Sequence, residues 1–145
     1  PIYAENIMLL APGADGAGSQ GLIDFQDALV GHPAYDLVSL LQDARRDVSP
    51  ELERAMLERY CAATEAPDSF AADYALLGAQ RNAKIVGIFT RLAKRDGKPR
   101  YLELIPRVWQ AMERDLGHPA LAPVEAWFAA NIPAAIRAAR GGTVR

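Results

Sequence analysis

The beginning of the chain holds two short apolar runs separated by a polar, glycine-rich segment. Residues 7–10, Ile-Met-Leu-Leu, are apolar on both faces, which is typical of a short buried strand. Residues 21–25, Gly-Leu-Ile-Asp-Phe, form a second such run, and residues 11–21 between them are rich in Gly and Ala and show no periodicity. Two short strands joined by a loop predict an antiparallel β-hairpin.

The rest of the chain repeats its apolar positions every three or four residues, which indicates helices. Ser49-Pro50 is typical of a helix start, and Gly97 after two basic residues is typical of a helix end. The predicted helices cover about 34–46, a segment from Pro50, a long segment between Asp68 and Gly97, 100–116 with a restart at Pro106, and 123–139 with an interruption at Ile132-Pro133. The sequence therefore predicts an α+β fold that is mostly α, with a β-hairpin followed by four or five helices.

Composition places the chain among globular proteins and excludes several kinds of partner. Its 145 residues amount to one domain, and half of them are hydrophobic. The formal net charge of −2 offers no basic field for nucleic acid, and no apolar run reaches the roughly 20 residues that span a bilayer. A single cysteine, Cys61, cannot form an internal disulfide, which fits a reducing cytoplasm. We therefore expect a cytoplasmic protein with no nucleic-acid or membrane partner.

The segment LIDFQDALVGHPAYDL, residues 22–37, places three aspartates and a histidine in an otherwise apolar stretch. Its carboxylates belong to Asp24, Asp27 and Asp36. Buried carboxylates are costly unless they are paired, hydrogen-bonded or bound to a metal. This stretch is therefore the candidate site of the chain.

The hairpin connects one of these aspartates to an asparagine. If Leu10 faces Gln20 across the loop, then Asn6 faces Asp24 with Cα atoms roughly 5 Å apart. A carboxylate beside a side-chain amide presents oxygens that suit a hard cation such as Mg²⁺. Asn and Asp at strand ends also cap loops without binding anything, so residue types alone leave both interpretations open.

The motifs together identify a family. YAENIMLL (3–10), followed by GLIDFQDALVGHPAYDLVSLLQDARRD (21–47), resembles the C-terminal lobe of the aminoglycoside phosphotransferase and choline kinase-like superfamily. Within it, the chain is most similar to the bacterial cell-wall sugar kinases that phosphorylate N-acetylmuramate and N-acetylglucosamine at the anomeric position. The segment QRNAKIVGIFTRLAKRDGKPRYLELIPRVW (80–109) also resembles that subgroup, so the resemblance extends over most of the chain.

The resemblance implies roles for three polar residues. Asn6 matches the catalytic-loop asparagine that holds Mg²⁺, and Asp24 matches the aspartate that bridges Mg²⁺ to the nucleotide phosphates, which makes them the catalytic, cofactor-binding and metal residues. Asp36 matches a helix aspartate that braces the catalytic loop by hydrogen-bonding its backbone. An aspartate in the first turn of a helix is also favoured by the helix dipole, and the two interpretations are compatible.

Other candidates depend on the resemblance more weakly. Asp27 follows the metal ligand and is expected either to orient the substrate or to hold the following loop. Arg45 and Arg81 lie on helices that wall the acceptor pocket in this family, so a contact to the substrate is weighed against an ordinary solvated charge. Trp109 and Trp127 are interpreted as core side chains rather than platforms for a sugar.

The sequence departs from the family pattern at its start. The family's loop has the form His-x-Asp-x-x-x-x-Asn, and the position of its catalytic aspartate falls on Pro1, which has no carboxylate. The chain also starts without Met inside an apolar run, so we expect residues 1–145 to be the C-terminal lobe of a longer protein that lacks its N-terminal lobe here. Within it we distinguish a metal-site hairpin, 1–25, and a helical part, 33–139.

The sequence thus predicts part of an ATP-dependent, Mg²⁺-dependent phosphotransferase whose acceptor is a small hydroxyl-bearing molecule, most simply a cell-wall amino sugar. An aminoglycoside or choline-type kinase and a non-catalytic helical binding module are the alternatives. The chain by itself is expected to be inactive. Because the hairpin is apolar on both faces and has unpaired edges, we also expect self-association.

Overall fold

The computed structural model describes residues 2–11, 19–24, 26 and 29–138. Within them, a short antiparallel hairpin precedes a series of helices, which confirms the predicted α+β, mostly α architecture. A single 3₁₀ turn, Ala4–Asn6, leads into the first strand. The strands and α-helices are β1 (Ile7–Leu9), β2 (Gln20–Leu22), α1 (Ala34–Leu41), α2 (Pro50–Thr64), α3 (Phe70–Asp96), α4 (Ile105–Leu116), α5 (Ala122–Asn131) and α6 (Ala134–Ala138).

Local sequence signals set most of the helix ends. The Ser49 hydroxyl accepts a hydrogen bond from the Leu52 N–H at 3.2 Å and caps α2, as predicted. Helix α3 ends at Gly97, whose φ of 65° lies in the left-handed region that glycine adopts without strain. The long helix predicted between Asp68 and Gly97 begins at Phe70, directly after Ser69.

Helix α1 is shorter than predicted. It ends at Leu41 instead of extending to residue 46, because Gln42 leaves the helical conformation with a φ of −120°. Gln42 is buried, and its side chain points to partners on three other helices. The tertiary contacts of one polar side chain therefore override the local helical pattern.

The register of the hairpin corrects our prediction by one residue. Ile7 pairs with Leu22, so Leu10 lies next to Ser19 and not Gln20, and the Leu10 N–H donates to the Ser19 carbonyl at 2.9 Å. The expected register assumed an extended chain as far as Asp24. That residue instead has a φ of 60°, so the strand has already ended and the alternation of side chains no longer applies.

The apolar side chains of the hairpin remain largely exposed. Leu9 is 84% exposed, and four others on the two strands or beside them are about half exposed, namely Met8, Leu10, Leu22 and Ile23. The expected self-association through this surface stays a prediction. No helix in the described part of the chain is long and apolar enough to cross a membrane.

The helices pack around two apolar clusters that share α3. One cluster joins α1 to the beginning of α3 and contains Val38, Phe70 and Tyr74. The other joins the rest of α3 to α4 and contains Trp109, as predicted. Trp127 on α5 was predicted to be a core residue and is 56% exposed, so that interpretation was wrong.

A buried polar network joins the two clusters, with the side-chain amide of Gln42 at its centre. The Gln42 Nε2 donates one hydrogen bond to Glu53 Oε1 at 2.7 Å and another to Asp115 Oδ1 at 2.8 Å. The Gln42 Oε1 accepts from Asn82 Nδ2 at 2.6 Å. Since these residues come from the end of α1, from α2, from α3 and from α4, one amide fixes the relative positions of four helices.

Further donors complete the network. The Tyr74 hydroxyl donates to Glu53 Oε1 at 2.9 Å, and the Arg114 guanidinium donates to Glu53 Oε2 at 2.7 Å. Asn82 Nδ2 also donates to Asp115 Oδ2 at 3.1 Å. Each buried carboxylate therefore has several donors, which is the condition under which burying it is tolerable.

Gly78 allows Asp115 to approach α3. A Cβ atom at position 78 would lie 2.5 Å from Asp115 Oδ2, whereas a Cβ at Gly87 on the same helix would meet nothing within 4 Å.

We predict that Gly78→Ala lowers the free energy of unfolding by about 1–3 kcal/mol through this overlap. The matched control Gly87→Ala should raise it by roughly 0.5–1 kcal/mol, because alanine favours a helix. Urea unfolding of both variants tests this, and a Gly78→Ala chain as stable as Gly87→Ala would contradict the close approach.

The ionisation of Asp115 gives a second prediction. Burial raises the pKa of Asp115 to about 7, and nearby Glu53 adds to this, although the bonds from Gln42 and Asn82 oppose it. In the unfolded chain the same carboxyl titrates near 3.9, so between these values the folded state binds the extra proton. The contribution of the Asp115 carboxyl to the free energy of unfolding is therefore fully present below about pH 4 and is lost as the pH rises towards 7.

We expect the unfolding free energy to fall by about 1–2 kcal/mol more in the wild-type chain than in Asp115→Asn between pH 5.5 and 7.5. Comparing the two chains cancels the contributions of the other ionisable groups, which both chains share. Urea midpoints at the two pH values measure the difference. Parallel pH profiles for the two chains would show that Asp115 does not titrate in this range.

Candidate functional site

Asn6 and Asp24 meet at the open end of the hairpin. The Asn6 Nδ2 donates to Asp24 Oδ2 at 3.2 Å, and the Ile23 N–H donates to the Asn6 carbonyl at 2.9 Å. Asn6 closes the 3₁₀ turn before β1, and Asp24 follows β2 after one intervening residue. The two side chains thus come together as expected, although the residue opposite Asn6 is Ile23.

The backbone at Asp24 explains how the shifted register still brings the two side chains together. A φ of 60° is left-handed, a conformation that Asp tolerates better than most residues. Left-handed backbone after Ile23 turns the chain out of the strand, so the position of the Asp24 carboxylate is set by the turn and not by strand alternation. Residues in sparsely populated backbone regions are concentrated at functional sites, which makes this position notable.

Gln26 is a third polar residue at this place, and the sequence analysis missed it. Its Nε2 donates to Asp24 Oδ1 at 2.8 Å, so both oxygens of this carboxylate accept a hydrogen bond from a side-chain amide. An amide two residues after an aspartate is a local signal that could have drawn attention to Gln26, because Asp commonly bonds to groups two positions further on. Asn6, Asp24 and Gln26 each carry side-chain oxygen atoms, and these oxygens are the atoms that could bind a cation.

Asp36 connects α1 to the segment before Asn6. It lies in the first turn of α1, and its Oδ1 accepts a hydrogen bond from the Ile2 N–H at 2.9 Å. The same helix start is held by His32, whose Nδ1 accepts from the Ala34 N–H at 3.3 Å. This hydrogen bond to the Ile2 backbone is the contact expected of an aspartate that braces the loop.

A cavity of about 570 Å³ lies between the hairpin end and the start of α1. Asn6, Asp24 and Asp36 all line it, together with Tyr3 and His32. Its other walls are mostly apolar and come from the strand end, from the segment before α1 and from Leu77 on α3. An apolar cleft with a few convergent polar groups is the usual form of a small-molecule site.

The remaining candidate site residues either lie away from the cavity lining or fall outside the described residues. Asp27 falls outside the described residues. Arg45 is exposed on the turn after α1, and Arg81 is buried on α3 with 3% of its surface exposed. Among the described residues that line the cavity, neither arginine is present. Arg81 is therefore not a solvated helix charge, and acceptor contacts for both arginines stay predictions.

The chemistry of the donors fits a hard divalent cation better than a transition metal. The described residues contain no cluster of three or more His, Cys, Asp or Glu side chains, so a site built wholly from such ligands is absent from them. One carboxylate with amide oxygens beside it is instead the partial set that Mg²⁺ uses, since Mg²⁺ prefers oxygen and completes its shell with water and phosphate. The Asn6–Asp24 pair thus fits Mg²⁺.

Comparison with known proteins agrees with this geometry. The profile of the phosphotransferase enzyme family matches residues 2–72, which include Asn6, Asp24 and Asp36. An N-acetylmuramate/N-acetylglucosamine kinase of Caulobacter vibrioides is 50% identical over 137 residues, which are 93% of this chain and 38% of that protein. A protein of the same name from Pseudomonas aeruginosa is 40% identical over 119 residues, 75% of this chain and 33% of its own length.

A third relative of that name, from Neisseria meningitidis, is 41% identical over 105 residues, which are 67% of this chain and 31% of the relative. This chain therefore spans between about a third and two fifths of the length of these curated relatives. The family match and the relatives cover the hairpin, the start of α1 and much of the helical part together. The chain belongs to the phosphotransferase enzyme family.

Proposed function

We propose that this chain is the C-terminal lobe of an ATP-dependent phosphotransferase that acts on a small hydroxyl-bearing acceptor, namely a cell-wall amino sugar. The observation that carries the proposal is the Asn6–Asp24 contact on a cavity that Asp36 also lines. The names of the curated relatives support an amino sugar as the acceptor. In this proposal residues 1–25 form the metal-site hairpin and residues 33–139 form the helical part.

Asn6 and Asp24 would hold Mg²⁺, which when bound supplies positive charge for the phosphates of ATP. Phosphoryl transfer depends mainly on positioning and on neutralising charge, so the task of these residues is to hold their oxygens in place. Asn6 and Gln26 already orient both oxygens of Asp24 through their amide donors. Each carboxylate oxygen has a second lone pair, so a cation can bind Asp24 beside these two hydrogen bonds.

Asp36 would act at a distance from the phosphates. Its bond to the Ile2 N–H holds the segment that leads into Asn6, and therefore limits how far the Asn6 side chain can move from Asp24. Asp24 itself is exposed to solvent, so water can complete the coordination shell of a bound cation. Asp27 and Arg45 are the proposed acceptor contacts.

The metal site can be tested in the chain itself with Mn²⁺, a paramagnetic substitute for Mg²⁺. We expect Mn²⁺ to broaden the amide resonances of residues around Asn6 and Asp24, and Asp24→Asn to weaken binding by about tenfold or more, since the charged ligand is lost. The matched control is Asp68→Asn, which removes the same charge at an exposed position outside the cavity. Equal losses in the two variants would mean that Mn²⁺ senses only net charge, and the metal site would be refuted.

The reaction requires a separate assay on the protein that carries this chain. With ATP and Mg²⁺ present, ADP release should depend on N-acetylmuramate or N-acetylglucosamine and should fall by orders of magnitude in Asp24→Asn. Choline and an aminoglycoside are the control acceptors, and turnover with either of them instead would favour the alternative kinases. The chain alone should bind the metal without turnover, because Pro1 occupies the catalytic aspartate position of the family pattern.

A further inference from the structure

Arg81 is a buried arginine whose guanidinium lies against the aromatic ring of Tyr3, in the segment that leads into Asn6. It is 3% exposed, and its guanidinium carbon lies 5.9 Å from the centroid of the Tyr3 ring. A guanidinium within about 6 Å of an aromatic face is attracted by the ring, and more strongly where water is excluded. Its NH1 also donates a long hydrogen bond, 3.5 Å, to the Gln42 carbonyl.

Tyr3 in turn holds the backbone N–H of Asn6. The Tyr3 carbonyl accepts the Asn6 N–H at 2.9 Å, which closes the 3₁₀ turn Ala4–Asn6. No side-chain cap stabilises this turn at Tyr3, so the position of Tyr3 is held by contacts of its ring and by its neighbour Ile2. A shift of Tyr3 would move the Asn6 backbone and, with it, the amide that bonds to Asp24.

Two helices hold this segment from different directions. Asp36 on α1 binds the backbone of Ile2, and Arg81 on α3 contacts the ring of Tyr3. The carbonyl that receives the Arg81 hydrogen bond belongs to Gln42, the centre of the buried network. A continuous series of contacts therefore leads from the buried carboxylates through Arg81 and Tyr3 to Asn6.

We propose that Arg81 is a positioning residue for the candidate magnesium site and acts through Tyr3. This role differs from the acceptor contact expected from the resemblance. It agrees with the burial of Arg81, which is not among the described residues that line the cavity, whereas Tyr3 does line it. Its consequence for metal binding rests on the proposed function, whereas its effect on the Asn6 backbone does not.

Three variants distinguish the effect of losing the Arg81–Tyr3 contact from the effect of a lower overall stability. Arg81→Met keeps a long side chain and removes the charge, and its urea midpoint is measured beside the exchange data so that a global loss of stability is recognised. Tyr3→Leu removes the aromatic face without touching α3, and Tyr3→Phe retains the face. The matched control is Arg107→Met on α4, because Arg107 also donates to a carbonyl after α1, that of Ala44 at 2.8 Å, and lies against Asp47.

Hydrogen exchange of the Asn6 amide measures the positioning directly. We expect exchange to accelerate about fivefold or more in Arg81→Met and in Tyr3→Leu, because the turn that protects this amide loosens. Tyr3→Phe and Arg107→Met should stay within about twofold of the wild type. The double variant Arg81→Met/Tyr3→Leu should be no worse than either single variant, since both remove the same contact.

Mn²⁺ affinity measures the consequence. It should fall about three- to tenfold in Arg81→Met and in Tyr3→Leu, and it should be retained in Arg107→Met. An Asn6 amide that is unchanged in Arg81→Met overturns the proposal, and an equal acceleration in Arg107→Met overturns it as well. If the wild-type chain binds no Mn²⁺, the proposed function fails, and the exchange data alone decide the role of Arg81.

Discussion

A carboxylate that is buried among helices must be met by hydrogen-bond donors in fixed positions, and this requirement at Glu53 and Asp115 determines how the helices are arranged. Gln42 supplies a donor to each of them from the end of α1. Because desolvated charges without donors are strongly unfavourable, the helices that carry these residues cannot shift independently. The polar network is thus a geometric constraint on the fold as much as a source of stability.

This constraint reaches the candidate site through α1. The helix ends at the network and begins beside the cavity, where Asp36 holds the Ile2 backbone. With only eight residues, α1 is a short and direct connection between the buried network and the candidate site. One helix therefore joins the network to the hairpin end, although neither Asn6 nor Asp24 belongs to the network.

Sequence reasoning succeeded where structure is determined locally. The cap at Ser49, the glycine end at Gly97 and the order of strands before helices follow from nearby residues. It failed where distant partners decide: Gln42 ends α1 early because its partners come from residues far along the chain, and no periodicity contains that information. The exposure of Trp127 is a failure of the same kind, since an aromatic side chain does not by itself reveal whether a helix face is covered.

At the site, the contact between Asn6 and Asp24 was predicted correctly although the predicted register was wrong by one residue. The left-handed turn at Asp24 compensates for the shift and still brings the two side chains together. Gln26 and Tyr3 were not predicted, as their roles depend on side-chain directions in a turn. The positive φ of Asp24 limits which residues can replace it during evolution. Gly and Asn adopt this backbone easily, whereas Glu would keep the charge and incur roughly 1–2 kcal/mol of strain. The substitutions best tolerated by the fold are therefore those that abolish the charge, so a diverging copy of this gene could lose the carboxylate at position 24 and still encode a well-folded protein.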